Sequence, residues 1–167
     1  MADVKSTDSE LYQLAEQAGH ALQRHGYQLV TAESCTGGWV GMVITAVPGS
    51  SAWYDRGFIT YSNDAKQMQL DVLADTLQTH GAVSEATVRE MASGALQHSK
   101  ADISLSISGI AGPGGGTPYK PVGTVCIGWA MRDGTHLETT CRLSGDRDEI
   151  RARAVAAALR GVIELLG

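Results

Sequence analysis

The stretch LVTAESCTGGWVGMVI, Leu29 to Ile44, decides the first part of the fold. Its opening residues form the short apolar run of a buried strand, and the strand pattern stops at Ser34. Two glycines follow, and the apolar residues between Trp39 and Val47 then recur at helical spacing. A strand that leads directly into a helix is the unit from which parallel α/β sheets are built.

The same alternation continues on both sides of this stretch. Helix patterns cover residues 11–25, 63–70, 71–80, 84–97 and 148–166, and strand patterns cover residues 56–61, 102–109, 122–131 and 136–144. Asp133-Gly134 predicts a hairpin between the last two strands. Because helices and strands alternate early and strands follow one another later, we expect an α/β three-layer α/β/α sandwich with a mixed, partly parallel sheet. No repeat or linker divides the chain, so residues 1–167 are expected to form a single domain.

Composition restricts the partners. The net charge is −5, and no run of Lys or Arg is present, which argues against nucleic acid. No apolar run approaches the length of a membrane span, and the first residues are polar, so neither a membrane segment nor a signal peptide is predicted.

The three cysteines, which lack CxxC spacing, indicate reduced thiols in a cytoplasmic protein. The five histidines form no metal-binding motif. A homodimer is compatible with the sequence, which does not decide it.

Ser34 is the first candidate for chemistry. It lies where a strand's carboxyl end meets a helix start, which is where open α/β sheets bind ligands. Backbone N–H groups there can bind a phosphate, or the oxyanion formed when a serine attacks a carbonyl. Gly37 and Gly38 would leave room for the ligand. The alternative is that Ser34 or Thr36 is only an N-cap and the glycines aid packing, and the local stretch does not decide between the two.

Lys66, in the segment TYSNDAK, is the candidate base. A serine nucleophile needs a proton acceptor, and a lysine can serve where burial lowers its pKa. Tyr61 lies five residues earlier, and its hydroxyl could relay a proton. The alternative is a surface lysine on the first turn of a helix, although a cation there opposes the helix dipole.

Two further segments could bind substrate. The loop SGIAGPGGGTPYKPVGT, residues 108–124, is rich in glycine but matches neither the P-loop nor the dinucleotide-binding pattern. It is either a rim of an active site or a mobile surface loop. Arg147 begins the last helix, where a cation is locally unfavourable but would suit a ligand phosphate. Cys35 is the best thiol candidate, because a helix N-terminus lowers thiol pKa, but no histidine is near and inert packing is the competing interpretation.

Six blocks, in order along the chain, resemble one family: TAESCTGG, GFITYSNDAK, GAVSEATVREMA, SISGIAGPGGG, KPVGTV and SGDRDEIR. The family is the C-terminal domain of the competence/damage-inducible protein A (CinA) group, which includes stand-alone nicotinamide-nucleotide amidohydrolases. The resemblance extends from about Leu11 to Leu166. The chain leaves no room for the larger N-terminal domain of two-domain members, so it is similar to the stand-alone type.

The resemblance implies hydrolysis of the carboxamide of nicotinamide mononucleotide to nicotinate mononucleotide and ammonia, in pyridine nucleotide recycling. It also implies serine–lysine catalysis without a metal or other cofactor, with Ser34 as nucleophile and Lys66 and Tyr61 at the matching catalytic positions. The block GIAGPGGG would form a pocket wall through Gly109, Ala111 and Gly112.

With that activity, the N–H groups around Cys35 and Thr36 would stabilise the oxyanion. Gly37 and Gly38 would admit the substrate amide, and Arg147 would bind the phosphate. Two other classes of function stay open on the residues alone. One is a nucleotide-binding domain without catalysis, which would not require Lys66. The other is a thiol-dependent hydrolase, which rests on Cys35.

Overall fold

The computed structural model describes residues 4–167, with side chains from Asp8 onward, so the first three residues of the predicted domain lie outside it. Five strands form within this range: β1 Leu29–Glu33, β2 Tyr54–Ile59, β3 Ile103–Gly109, β4 Thr124–Met131 and β5 His136–Arg142. Six α-helices accompany them: α1 Val4–His25, α2 Trp39–Thr45, α3 Asn63–Leu70, α4 Ala74–His80, α5 Glu85–Gln97 and α6 Arg147–Leu166. In this described part of the chain, none of the helices combines the length and apolarity that crossing a membrane requires.

The sheet is mixed, with strand order β2-β1-β3-β4-β5. The three strands β2, β1 and β3 run parallel, because helices connect them, while β4 and β5 are antiparallel additions at one side. The predicted mixed, partly parallel sheet is therefore confirmed. The carboxyl ends of the three parallel strands lie at one edge of the sheet, and β1 is in the middle of them.

Two helical layers cover the two faces of the sheet. One apolar core joins α1, α2 and α6 to the face of β3 that carries Ile103, Leu105 and Ile107. The other core joins α3, α4 and α5 to the opposite face, which includes Val30 and Ala32 of β1. The predicted three-layer α/β/α sandwich is thus confirmed, and each face of the sheet is buried against apolar helix surface.

Side-chain caps determine where several helices begin. The Ser62 hydroxyl accepts a hydrogen bond from the N–H of Ala65 at the start of α3, and the Ser84 hydroxyl does the same from Thr87 at the start of α5. Both caps stand where the helix patterns predicted over residues 63–70 and 84–97 begin. Asp71 adopts a left-handed conformation with φ 58° and ends α3. The predicted helix over 71–80 is therefore shorter than expected, starting at Ala74.

The serines of β3 anchor α5 to the sheet. Residues alternate between the faces of a strand, so Ser104 and Ser106 point away from the isoleucine core and towards α5. The Ser104 hydroxyl donates to the carbonyl of Ala92 at 2.8 Å, and the Ser106 hydroxyl donates to the carbonyl of Val88 at 2.6 Å. Each buried hydroxyl therefore has an acceptor on the helix above it.

Candidate active site

A pocket of about 190 Å³ lies at the carboxyl edge of the parallel strands. Ser34, the residue that follows β1, lines it and is 7% exposed. The Ser34 N–H donates to the carbonyl of Ile107 at 3.0 Å, which continues the pairing of β1 with β3. The serine backbone is therefore held by the sheet, and its side chain faces a cavity.

Lys66 extends from α3 into the same pocket and is 1% exposed. Its Nζ lies 3.0 Å from Ser34 Oγ, 2.9 Å from the carbonyl oxygen of Thr60 and 3.3 Å from the carbonyl oxygen of Tyr61. Among the described side chains, no carboxylate forms a salt bridge with this amine. The lysine is therefore surrounded by neutral oxygen atoms, and the interpretation as a surface lysine is wrong.

Burial of the Lys66 amine lowers its pKa, because removal from water disfavours the charged form, while proximity to the Cys35 thiol opposes this weakly. A neutral amine has two N–H groups and one lone pair. The carbonyls of Thr60 and Tyr61 accept the two N–H groups, which leaves the lone pair for the hydroxyl hydrogen of Ser34. In that state Ser34 donates to Lys66, which is the arrangement of a nucleophile and its base.

Glu33 fixes the turn that carries Ser34. Its buried carboxylate accepts hydrogen bonds from the Thr36 hydroxyl at 2.7 Å and from the N–H groups of Val40 and Gly41 at 2.9 Å and 3.2 Å. Glu33 therefore caps α2, because it accepts N–H groups that have no partner within the helix. The alternative that Ser34 or Thr36 is the N-cap is wrong.

Arg151 of α6 holds the same turn from the opposite side. Its guanidinium donates to the carbonyl oxygens of Cys35 at 3.0 Å and Thr36 at 3.2 Å, and it lies over the Trp39 ring at 5.2 Å from the centroid. Sequence reasoning missed this residue, although it lies one helical turn after Arg147. With these carbonyls held by Arg151, the N–H groups of Cys35 and Thr36 have no acceptor on another described residue.

The two glycines of the turn have a conformational role. Gly37 and Gly38 adopt φ values of 60° and 102°, a region that side chains rarely enter, and neither lines the pocket. Clearance for the substrate, as expected from the sequence, is therefore not what requires glycine here. The fully buried Thr36 likewise lies behind the pocket wall, and Gly112 is not part of the lining.

Cys35 lines the pocket, but its thiol is not activated. Burial raises the pKa of the Cys35 thiol to about 11, which outweighs the neighbouring Arg151 and the local backbone N–H. The expectation that a helix end would lower this pKa is wrong, because the turn places the thiol in an apolar environment before α2 begins. Cys35 is therefore a packed, protonated side chain.

Tyr61 and Arg147 both lie at the rim of the pocket. Tyr61 is 66% exposed and contacts Lys66 through its carbonyl, and among the described residues its hydroxyl makes no hydrogen bond. Arg147 donates to the carbonyl of Gly112 at 2.7 Å and lines the pocket with its side chain. The predicted residues that the structure brings together at the pocket are Ser34, Cys35, Tyr61, Lys66, Gly109, Ala111 and Arg147.

Four pocket residues were not named individually as site residues: Asn63, Ala82, Val83 and Ser108. Ala82 and Val83 lie between α4 and α5 and carry no local signal of a site. Ser108 entered the sequence analysis only as the first residue of the glycine-rich loop 108–124, one interpretation of which was the rim of an active site. Within the described part of the chain, no three His, Cys, Asp or Glu side chains converge as metal ligands do.

A model of the CinA C-terminal domain family matches residues 11–166. The chain belongs to this family. Nicotinamide-nucleotide amidohydrolase PncC of Escherichia coli (strain K12) is 56% identical over 154 residues, which are 92% of this chain and 93% of that protein. The PncC protein of Enterobacter agglomerans is 48% identical over 92% of this chain and 94% of that protein. The crystal structure of the competence/damage inducible protein CihA from Agrobacterium tumefaciens superposes with a TM-score of 0.91 at 44% identity, covering 93% of this chain and 95% of that one. The resemblance stated from the six blocks is confirmed.

Proposed function

We propose that this protein hydrolyses the carboxamide of nicotinamide mononucleotide to nicotinate mononucleotide and ammonia. It is an enzyme of the amidohydrolase class, as relatives 48% to 56% identical carry that name. The observation that supports the chemistry is the 3.0 Å separation of Lys66 Nζ and Ser34 Oγ inside a pocket. Catalysis requires such a pair, whereas binding alone does not.

Acylation begins at Ser34. Its oxygen attacks the carboxamide carbon while Lys66 takes the hydroxyl proton, and the resulting oxyanion accepts a hydrogen bond from the N–H group of Cys35, which lines the pocket. The C–N bond then breaks, the nitrogen receives the proton from the Lys66 ammonium, and ammonia leaves. Tyr61 is not needed as a relay in this scheme, because Lys66 contacts Ser34 directly.

Deacylation repeats these steps with water. Lys66, again neutral, takes a proton from a water molecule that attacks the acyl carbon of the ester at Ser34. The ester bond breaks, the serine oxygen recovers the proton from Lys66, and the carboxylate product leaves. Every proton transfer uses Ser34 or Lys66, so the proposed reaction needs only the mononucleotide and water.

The volume of the pocket and the positive charge of Arg147 at its rim support a nucleotide substrate. The volume of about 190 Å³ is below the roughly 300–1,000 Å³ of sites for drug-sized ligands, so the pocket encloses the pyridine carboxamide and leaves the phosphate at the rim. Arg147 lies at that rim and provides donors suited to a phosphate. Three unpaired thiols support a cytoplasmic location, where thiols stay reduced.

The test is ammonia release from nicotinamide mononucleotide, nicotinamide and the dinucleotide, each with and without a chelator. We expect the mononucleotide to be preferred, Ser34→Ala to abolish release, and the chelator to have no effect. Ser50→Ala, a buried serine outside the pocket, is the matched control and should stay active. A wild-type protein that binds the mononucleotide and releases no ammonia would indicate a binding domain instead, and inhibition by the chelator would contradict the metal-free mechanism.

A further inference from the structure

Ser104, Ser106 and Ser108 lie on the same face of β3, but Ser108 does not bond to α5 as the other two do. Ser104 and Ser106 donate to carbonyls of α5 that are one helical turn apart, those of Ala92 and Val88. Continuing by one more turn leads to Ser84, which is the N-cap and lies before the first helical residue. Ser108 is 1% exposed and, among the described residues, its hydroxyl has no hydrogen-bond partner. It lines the pocket instead.

The strand register places Ser108 beside the nucleophile. Glu33 of β1 pairs with Ile107 of β3, and the next residues of the two parallel strands are Ser34 and Ser108. Neighbouring strands lie about 4.8 Å apart, and paired residues point to the same face. Both serines therefore leave the sheet on the side of α3, which carries Lys66.

Native proteins satisfy nearly all buried hydroxyls. The hydroxyls of Ser104 and Ser106 bond to carbonyls of α5. Ser108 makes no such bond, and in the described part of the chain its oxygen is not among the fully enclosed polar atoms that lack a partner, so it is open to a molecule in the pocket. Because Ser108 lies next to Ser34, a bound substrate would place the group that Ser34 attacks beside this hydroxyl.

We propose that Ser108 is a catalytic residue that binds the carboxamide nitrogen, a role that rests on the amidase function proposed above. With the carbonyl oxygen of the substrate at the N–H group of Cys35, its NH₂ group faces β3. In the bound amide the nitrogen is planar and can only donate, and Ser108 Oγ accepts from it.

The hydrogen bond strengthens as the reaction proceeds. After Ser34 adds to the carbon, the nitrogen becomes pyramidal and gains a basic lone pair, which takes its proton from the Lys66 ammonium. The nitrogen then carries positive charge, and its N–H groups donate more strongly to Ser108 Oγ, while Ser108 itself transfers no proton. The interaction is stronger at this stage than in the substrate complex, which is the condition for accelerating turnover.

The test compares Ser108→Ala with Ser106→Ala on two substrates, nicotinamide mononucleotide and the methyl ester of nicotinate mononucleotide. We expect Ser108→Ala to lower kcat for the amide about 10²-fold, the loss typical of one hydrogen bond at a reacting centre, with little change in KM. For the ester, whose methoxy leaving group needs less assistance, the loss should stay below about tenfold. Melting temperature should change little, because the Ser108 hydroxyl makes no hydrogen bond to another described residue.

Ser106→Ala should show the opposite behaviour, with a lower melting temperature and an unchanged kcat, because its hydroxyl donates to Val88. If the alanine variant folds poorly, Ser108→Cys, which nearly keeps the volume and offers a weaker acceptor, should give an intermediate amide rate. Equal losses on amide and ester, or no loss on the amide, would overturn this role while leaving the amidase function in place. Absence of ammonia release by the wild type would overturn both.

Discussion

Lys66 Nζ and Ser34 Oγ lie 3.0 Å apart although the two residues are 32 positions apart in the chain. The sheet holds Ser34 at the end of β1, and α3 starts with Ser62 as its cap, so both residues are carried by regular structure. Two backbone carbonyls take the remaining contacts of the amine. Because the amine faces the Ser34 hydroxyl, the neutral form of Lys66 is the reactive form in the proposed mechanism.

Replacing Lys66 by methionine should abolish turnover and preserve the fold. The variant keeps a long unbranched side chain and removes the base, so we expect kcat to fall by about 10²–10⁴, the range for general-base catalysis. Its stability near neutral pH should be equal or higher, because the desolvated amine is gone. Ammonia release and a thermal melt measure both quantities. Lys100→Met, at an exposed position, is the control, and wild-type turnover in Lys66→Met would rule out the dyad.

The rate should rise with pH through the lowered pKa of Lys66, since deprotonation creates the base. Stability should follow the same direction. The unfolded lysine has a pKa near 10.4 and the folded one a lower pKa, so between the two values the unfolded state binds more protons. The free energy of unfolding attributable to Lys66 therefore increases as pH rises through that window and is lowest below it.

Denaturant titrations of the wild type and of Lys66→Met, at pH values up to about 10.4, isolate the contribution of Lys66 to the free energy of unfolding. The other titrating groups are present in both proteins, so their contributions cancel when the two unfolding free energies are subtracted. A difference in unfolding free energy that does not change with pH would contradict the lowered pKa of Lys66.

The fold could largely be predicted from the sequence because its signals are local. Apolar spacing marks β1 and α5, and Ser62 and Ser84 occupy the cap positions that their residue type favours. The predicted start of α4 is wrong because two local signals compete there. The polar-apolar pattern after Leu70 continues as if helical, but Asp71 enters the left-handed region and interrupts it.

The site could be predicted only in part, because several of its contacts join distant segments. Ser34 and Lys66 carry recognisable chemistry at strand-to-helix junctions. Arg151 contacts Cys35 across 116 positions, and nothing in a helix rich in Ala and Arg distinguishes this arginine from its neighbours. Ser108 differs from Ser106 only because α5 begins too late to reach it, a feature of packing and not of composition.

Cys35→Ala should retain activity within about tenfold, whereas Ser34→Ala should lose it. The pKa of the Cys35 thiol is about 11, so almost no thiolate is present near pH 8, and the thiol fills space beside the serine. Iodoacetamide at pH 8 should therefore inactivate the enzyme slowly. Ammonia release by Cys35→Ala, by Ser34→Ala and by iodoacetamide-treated wild-type protein tests these expectations. Full activity of Ser34→Ala together with loss in Cys35→Ala would instead identify the thiol as nucleophile.

Arg151→Met should lower kcat with little change in KM. Arg151 does not touch the pocket, but it holds the carbonyls of Cys35 and Thr36, and releasing them lets the neighbouring N–H groups move away from the oxyanion. A displacement of about 1 Å at a reacting centre can cost about 10²-fold, so we expect a loss between tenfold and that value.

Arg153→Met is the matched control, since this exposed arginine, two residues further along α6, donates hydrogen bonds only to Ser144 among the described residues. Arg151→Lys should restore kcat only partly, because an ammonium cannot reproduce the two-carbonyl contact of a planar guanidinium. Measuring kcat well below the melting temperature of each variant separates positioning from stability. If Arg151→Met and Arg153→Met lose the same activity, or if only KM of Arg151→Met changes, Arg151 does not position the turn for catalysis.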